Sequence, residues 1–207
     1  MANFYVGNQD DNQDFAQDTI SKNEGLALPL SAPATKSQLI NLLLIAAFGA
    51  LFDQLTKLLS VKVLASSYDF IALTPFLNIV HRLNTGIAFS LGDGFGEAGR
   101  WFFIIVALVV SLALFIWFVF ATTPLRTLAI GLLIGGAIGN TIDRLRLGGV
   151  IDFIDFHLYS WHYPTFNLAD SLIFIGVGLL IWDIWRIDTA LAQRESQAQT
   201  SAKSQDE

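Results

Sequence analysis

The stretch Trp101–Phe120, WFFIIVALVVSLALFIWFVF, runs for twenty residues without a charged side chain. As a helix rising about 1.5 Å per residue it is about 30 Å long, the thickness of a bilayer's hydrocarbon core. Lipid offers the backbone no hydrogen-bond partners, so a segment of this kind must bond to itself as a helix. Buried helices of soluble proteins are seldom so long and so uniformly apolar. Working outward, three more segments have the same character, from about Leu39 to Leu59, Leu125 to Ile142 and Phe166 to Trp185. The sequence predicts an all-α membrane protein with four transmembrane helices.

The composition agrees. Of the 207 residues 53% are hydrophobic and 14% charged, against about 25% charged in a soluble domain. No cysteine is present, which excludes a thiol nucleophile, a disulfide and a thiolate metal site within the chain. The formal charge of −6 sits largely in the tails, and the absence of a basic stripe argues against a nucleic-acid partner. Residues 1–37 are acidic and lack apolar periodicity, which predicts a disordered tail rather than a signal peptide. Residues 38–187 hold the four helices as one domain, and 188–207 form a polar C-terminal tail.

Four crossings place both long connections, Ser60–Arg100 and Asp143–Thr165, on one side. Both tails and the short link around Pro124 lie on the other. Lys22, Lys36, Arg126, Arg186, Arg194 and Lys203 fall on the tail side; Lys57, Lys62, Arg82, Arg100, Arg144 and Arg146 fall on the loop side. The counts are equal, so the positive-inside rule gives no orientation. The first long loop has β character: Phe76–Arg82 is rich in β-formers, Asn84-Thr85-Gly86 makes a turn, and Ile87–Ser90 could return as a second strand.

Ionisable groups near membrane helices are costly and call for a reason. Asp53 and Lys57, spaced i,i+4, share a helical face and can pair, either as a neutralised helix end or as the floor of a site. Gly131, Gly135 and Gly139 repeat every four residues and form a stripe for close helix packing. Asn140 and Asp143 share a face at the end of the same helix. Asp152 and Asp155 have opposite parity and would face opposite ways in a strand. Asp152 is flanked by apolar residues that would raise its pKa. Asn167 can cap the fourth helix with Asp170 three residues on, where the helix N-terminus favours a carboxylate. One ionised carboxylate beside one kept protonated is what aspartyl hydrolysis needs.

Other chemistries fit less well. Lys57 and Ser60 could imitate a Ser–Lys dyad, and His81, Ser90 and an aspartate could be drawn as a triad, but there is no nucleophile elbow. There is no His-Glu-x-x-His, and His157 and His162 are poorly spaced for a shared metal. Asp143, Asp152 and Asp170 stay in competition on residue chemistry alone. A small transporter or ion channel using the polar cluster is the alternative class.

Taken together, Asp53-Gln54-Leu55-Thr56-Lys57, Asn84–Phe89, Gly135–Arg144 with Gly148–Phe153, and Phe166–Asp170 resemble the lipoprotein signal peptidase (signal peptidase II) family. The match covers about residues 38–187, with the motifs in the family's order. The resemblance implies an intramembrane aspartic endopeptidase of the bacterial inner membrane, with both termini cytoplasmic and the active site near the periplasmic face. It implies a small β-rich periplasmic segment between helices 1 and 2. The expected substrate is a diacylglyceryl-modified prolipoprotein, cut before its lipidated cysteine. The expected partners are that substrate and membrane lipid, the chain acting as a monomer without metal or cofactor. Carried over residue by residue, Asp152 and Asp170 are catalytic. Asp53, Lys57, Asn84, Gly86, Asn140, Asp143, Arg144 and Asn167 have supporting or substrate-binding roles.

Overall fold

The computed structural model describes residues 33–65, 70–86 and 96–203. Four long helices account for most of them: α1 (Lys36–Leu64), α2 (Gly96–Phe120), α3 (Pro124–Leu147) and α4 (Leu168–Lys203). All four are long and apolar enough to cross a membrane. Local chemistry sets their ends. Thr35 caps α1 in a reciprocal box with Gln38, satisfying two otherwise orphaned amides. Thr123 caps α3 ahead of Pro124, and α3 stops at Gly148, whose φ of 79° is open to glycine without strain. At the head of α4, the Asn167 side chain accepts from the Asp170 amide at 3.0 Å, and the Asp170 carboxylate accepts from the Asn167 amide at 3.1 Å.

Helix α3 is the centre of the bundle and packs against α1, α2 and α4. The glycine stripe explains how closely it does so. A Cβ at Gly135 would stand 2.8 Å from the Ala46 carbonyl oxygen, and one at Gly131 would stand 2.8 Å from the Ile45 side chain. Gly136 turns the other way and meets the Ala169 carbonyl of α4. Helix α2 packs mainly on α3 and turns an apolar surface outward, including Phe102, Ile105, Leu108 and Leu112.

Four antiparallel strands cap one end of the bundle in the order β1 (Phe70–Thr74), β2 (Leu77–Asn84), β3 (Val150–Leu158), β4 (Trp161–His162). The expected strand at Phe76–Arg82 is present as β2. Its expected return partner, Ile87–Ser90, lies outside the described residues. The partners of β2 are β1 and β3, so the sheet joins both long loops instead of belonging to the first alone. The β3 run Val150–Leu158 carries enough branched and aromatic residues to pair, although its aspartates mask that preference. A register shift between Ile79 and Arg82 bends β2 near the bundle. Helix α4 also continues to Lys203 rather than ending near Trp185. Residues 186–203 contain no glycine or proline to stop it.

Candidate active site

The sheet sits on the loop end of the bundle, where β3 leaves α3 through Gly148 and Gly149. Asp143, in the last turns of α3, accepts from the Ile151 amide at 3.1 Å, tying the start of β3 to the helix. This tie aims Asp152 inward. Its Oδ1 accepts from Asn167 Nδ2 at 2.7 Å and its Oδ2 from Asn84 Nδ2 at 3.0 Å. Asp155 points to the opposite face of the strand, as its parity requires, and accepts from Asn78 at 3.0 Å and pairs with His162 at 2.9 Å.

Asp170 stands in the first turn of α4. Its Oδ1 accepts from Asn140 Nδ2 at 2.8 Å, while its Oδ2 is engaged by the Asn167 amide. Asn167 is therefore shared: it caps α4 against Asp170 and donates its side-chain amide to Asp152. The two carboxylates line one cavity of about 440 Å³, together with Asn84, Gly86, Asn140, Arg144 and the wall Tyr163–Phe166. Asn84 is held by its own turn, its Oδ1 accepting from the Gly86 amide at 3.0 Å. The Arg144 guanidinium lies over the Phe103 ring, 5.1 Å from its centre.

Beneath the cavity is a buried ionic floor. Lys57 Nζ is 2.8 Å from Asp53 Oδ2, 2.8 Å from Asp143 Oδ2 and 3.1 Å from Asn140 Oδ1. Asp53 also accepts from the Ala169 amide at 2.9 Å, anchoring the start of α4. A Cβ at Gly139 would come within 2.5 Å of the Asp53 carboxylate, so the last glycine of the stripe leaves room for the ion pair. Gln54, quoted within a motif but given no role from sequence, donates to Asp143 at 2.9 Å and to the Gly139 carbonyl at 3.2 Å.

The three competing aspartates have different surroundings. Asp143 is 1% exposed, committed to Lys57, Gln54 and Ile151, and absent from the cavity wall. Asp152 and Asp170 both face the cavity. Burial pushes the Asp152 carboxyl up to about 6, and the nearby Asp170 charge adds to this; the amides of Asn84 and Asn167 pull the other way. A Ser–Lys dyad finds no geometry: the Ser60 hydroxyl donates to the Lys57 carbonyl at 2.8 Å. Ser90 lies outside the described residues. His157 and His162 stack as a cross-strand pair of β3 and β4, their ring centres 5.2 Å apart.

A second buried polar cluster at the other end of the bundle was not read from sequence. Asp183, 0% exposed, pairs with Arg126 at 3.0 Å and Arg186 at 3.0 Å and accepts from Thr123 at 2.9 Å. The available signal was an aspartate inside the apolar run Ile181–Trp185.

Comparison with known proteins places this arrangement. Residues 45–186 match the family model described as Signal peptidase (SPase) II. The lipoprotein signal peptidase of Paraburkholderia phymatum is 46% identical over 157 residues, covering 74% of this chain and 92% of that protein. That of Aeromonas hydrophila is 42% identical over 144 residues, covering 69% and 86%. A solved bacterial membrane enzyme superimposes with a TM-score of 0.61 at 33% identity, over 75% of this chain and 92% of the other. With its family model and its relatives agreeing over the helices, the sheet and the cavity between them, this chain belongs to the signal peptidase II family.

Proposed function

We propose that this chain is the aspartyl endopeptidase that removes the signal peptide from diacylglyceryl-modified prolipoproteins, with Asp152 and Asp170 as its catalytic pair. The observation that carries the assignment of the pair is the single cavity lined by both carboxylates, each oriented by asparagine amides. Asp170, at a helix N-terminus that favours a carboxylate and the less buried of the two, is the base. Asp152, the more deeply buried, holds the proton.

Water attacks the scissile carbonyl carbon and passes a proton to Asp170, while Asp152 gives its proton to the carbonyl oxygen. The resulting diol collapses. The C–N bond breaks, the leaving amine of the cysteine takes the proton from Asp170, and Asp152 recovers one from the hydroxyl. The pair returns to its starting state with one water consumed.

The supporting residues follow from their contacts. Asn84, Asn140 and Asn167 orient the carboxylates, and Gly86 holds Asn84. Asp53, Lys57 and Asp143 form the floor, and Arg144, in the cavity lining, offers N–H donors to the peptide to be cut. The chain acts as a monomer in contact with membrane lipid, both termini cytoplasmic and the cavity near the periplasmic face. Residues 1–37 and 188–207 flank a single peptidase domain. A transport path is disfavoured because α3 carries no polar side chain from Leu128 to Gly139, between its two polar ends.

The test is incubation of the purified chain with a diacylglyceryl-modified prolipoprotein, followed by mass spectrometry of the products. The expected product begins at the lipidated cysteine, whether or not a chelator is present. No cleavage, or a cut elsewhere, would overturn the reading.

A further inference from the structure

Lys57 does not line the cavity, yet it is joined to Asp170 through one amide, Asn140, and to Asp152 through two, Asn140 and Asn167. We propose that Lys57 is a positioning residue that fixes the Asn140 amide with its nitrogen toward Asp170, and thereby keeps Asp170 as the base. This rests on the catalytic pair proposed above and goes beyond it.

An ammonium has three N–H donors, and Lys57 has three acceptors: Asp53 Oδ2, Asp143 Oδ2 and Asn140 Oδ1. Two are carboxylates that neutralise it. The third is an amide oxygen, and this contact transmits orientation. Asn140 Oδ1 also accepts from Asn167 Nδ2 at 3.3 Å, and that same nitrogen donates to Asp152. One oxygen thus gathers donors from the ionic floor and from the amide that serves the other aspartate.

The two ends of an asparagine amide are nearly the same size but opposite in hydrogen-bonding sense. Turning Asn140 over would set its NH₂ against the Lys57 ammonium and the Asn167 NH₂, leaving donors facing donors. While Lys57 is charged, Asn140 can therefore present only N–H to Asp170. The second oxygen of Asp170 meets the Asn167 amide, again a donor. Partners that only donate favour the carboxylate over the acid; Asp152 also meets only donors, so its deeper burial directs the proton there once Asn140 offers Asp170 no acceptor. Without the Lys57 charge only the longer Asn167 contact, at 3.3 Å, opposes the turn, and once turned the amide oxygen accepts a proton held on Asp170. The shared proton would no longer be directed to Asp152.

Asp53 and Asp143 supply the neutralising charge that lets Lys57 remain an ammonium while 2% exposed. The relay therefore uses the whole floor, with Lys57 and the Asn167 side-chain amide holding the orientation of Asn140.

The experiment is the pH profile of kcat/KM for prolipoprotein cleavage, in the unaltered chain and in Lys57→Met. A purely structural lysine would lower the amplitude and leave the profile's shape alone. The relay predicts that the acid limb moves to higher pH by about one unit or more, so that part of the lost activity returns on going alkaline. Because Lys57→Met leaves two buried carboxylates facing each other, Asp53→Asn/Lys57→Met is measured alongside it. This double variant keeps the floor's net charge, and the same shift is expected. An acid limb unmoved in the folded variants overturns the relay. If the unaltered chain cleaves but has no acid limb, the catalytic pair itself falls, and the relay with it; the two failures are thus distinguishable.

Discussion

The bundle has a buried ionic cluster at each end, and the two are built on opposite plans. At the tail end Asp183 meets two arginines and a threonine, and Arg126 also stacks on Trp117 at 4.7 Å and donates to the Ala121 carbonyl at 2.7 Å. Opposite charges answer each other. The cluster clasps the link between α2 and α3 to α4. At the loop end Asp53 and Asp143 hold Lys57, while Asp152 and Asp170, beyond the amides of Asn140 and Asn167, open into a cavity with Arg144 at its wall. The twelve apolar residues of α3 from Leu128 to Gly139 keep the clusters about 18 Å apart. A buried acid with matched partners holds a fold together. One that faces a cavity short of cations is available for chemistry.

The largest effect expected from this contrast is on activity. Asp152→Asn or Asp170→Asn should lower kcat at least about 1,000-fold while the protein stays folded, the order of loss expected for an acid–base group. Asp183→Asn should behave in the opposite way. It leaves Arg126 buried without its counter-charge, costing about 3–5 kcal/mol of stability, yet cleavage by the surviving folded fraction should stay within about 3-fold of normal. Thermal unfolding in detergent alongside single-turnover cleavage separates the two. A dead but stable Asp183→Asn would break the comparison.

An intermediate effect is expected at Asp143. Asp143→Asn weakens the hold on Lys57 and on the strand that carries Asp152, without touching the cavity. kcat should fall about 10- to 100-fold with little change in KM, because interactions realised in the transition state are lost and uniform binding is not. A loss equal to that of Asp152→Asn would make Asp143 the better partner for Asp170.

A smaller effect concerns stability. The folded Asp152 carboxyl, pushed up to about 6, lies above its ordinary value of 3.8. Ionisation therefore costs the fold stability above pH 6, and the cost disappears as pH falls below about 4. Relative to the unaltered chain, Asp152→Asn should gain up to about 3 kcal/mol of stability between pH 4 and pH 7, on top of a pH-independent loss from setting its NH₂ against the amide of Asn84 or Asn167. The same difference at both pH values would deny the desolvation of Asp152. The smallest effect is at the sheet's far face. Burial acts to raise the Asp155 carboxyl, but the hydrogen bonds of His162 and Asn78 outweigh it and hold it below the ordinary value. His162→Ala leaves Asn78 in place, so cleavage should change less than about 3-fold; a larger loss in kcat would tie this face to the cavity wall.

Much of this is legible in the sequence. Twenty uncharged residues at Trp101–Phe120 require a membrane helix, and a glycine every fourth residue requires a close neighbour. Asn167 and Asp170 declare a helix start by their spacing. The i,i+4 spacing of Asp53 and Lys57 allowed their pairing. The sheet was only half legible, because β2 pairs with a strand some seventy residues away and long-range pairing leaves no local periodicity. The hub role of Asn140 was hidden for the same reason: its partners come from α1 and α4, and only packing brings them together. The clasp at Asp183 went unread because its arginines resembled ordinary flanking charges. Among Asp143, Asp152 and Asp170, residue chemistry alone gave no choice. The pair is proposed because Asp143 is bonded to Lys57, Gln54 and Ile151 whereas Asp152 and Asp170 line the cavity.

The most direct test of the central claim, that Asp152 and Asp170 share one proton and divide the work, is the dependence of kcat/KM on pH for the unaltered chain. The account predicts a bell: activity needs one aspartate ionised and the other protonated, so it falls on both sides, the alkaline limb beginning near the value of about 6 set by the burial of Asp152. A profile flat from pH 4 to pH 9 would contradict it.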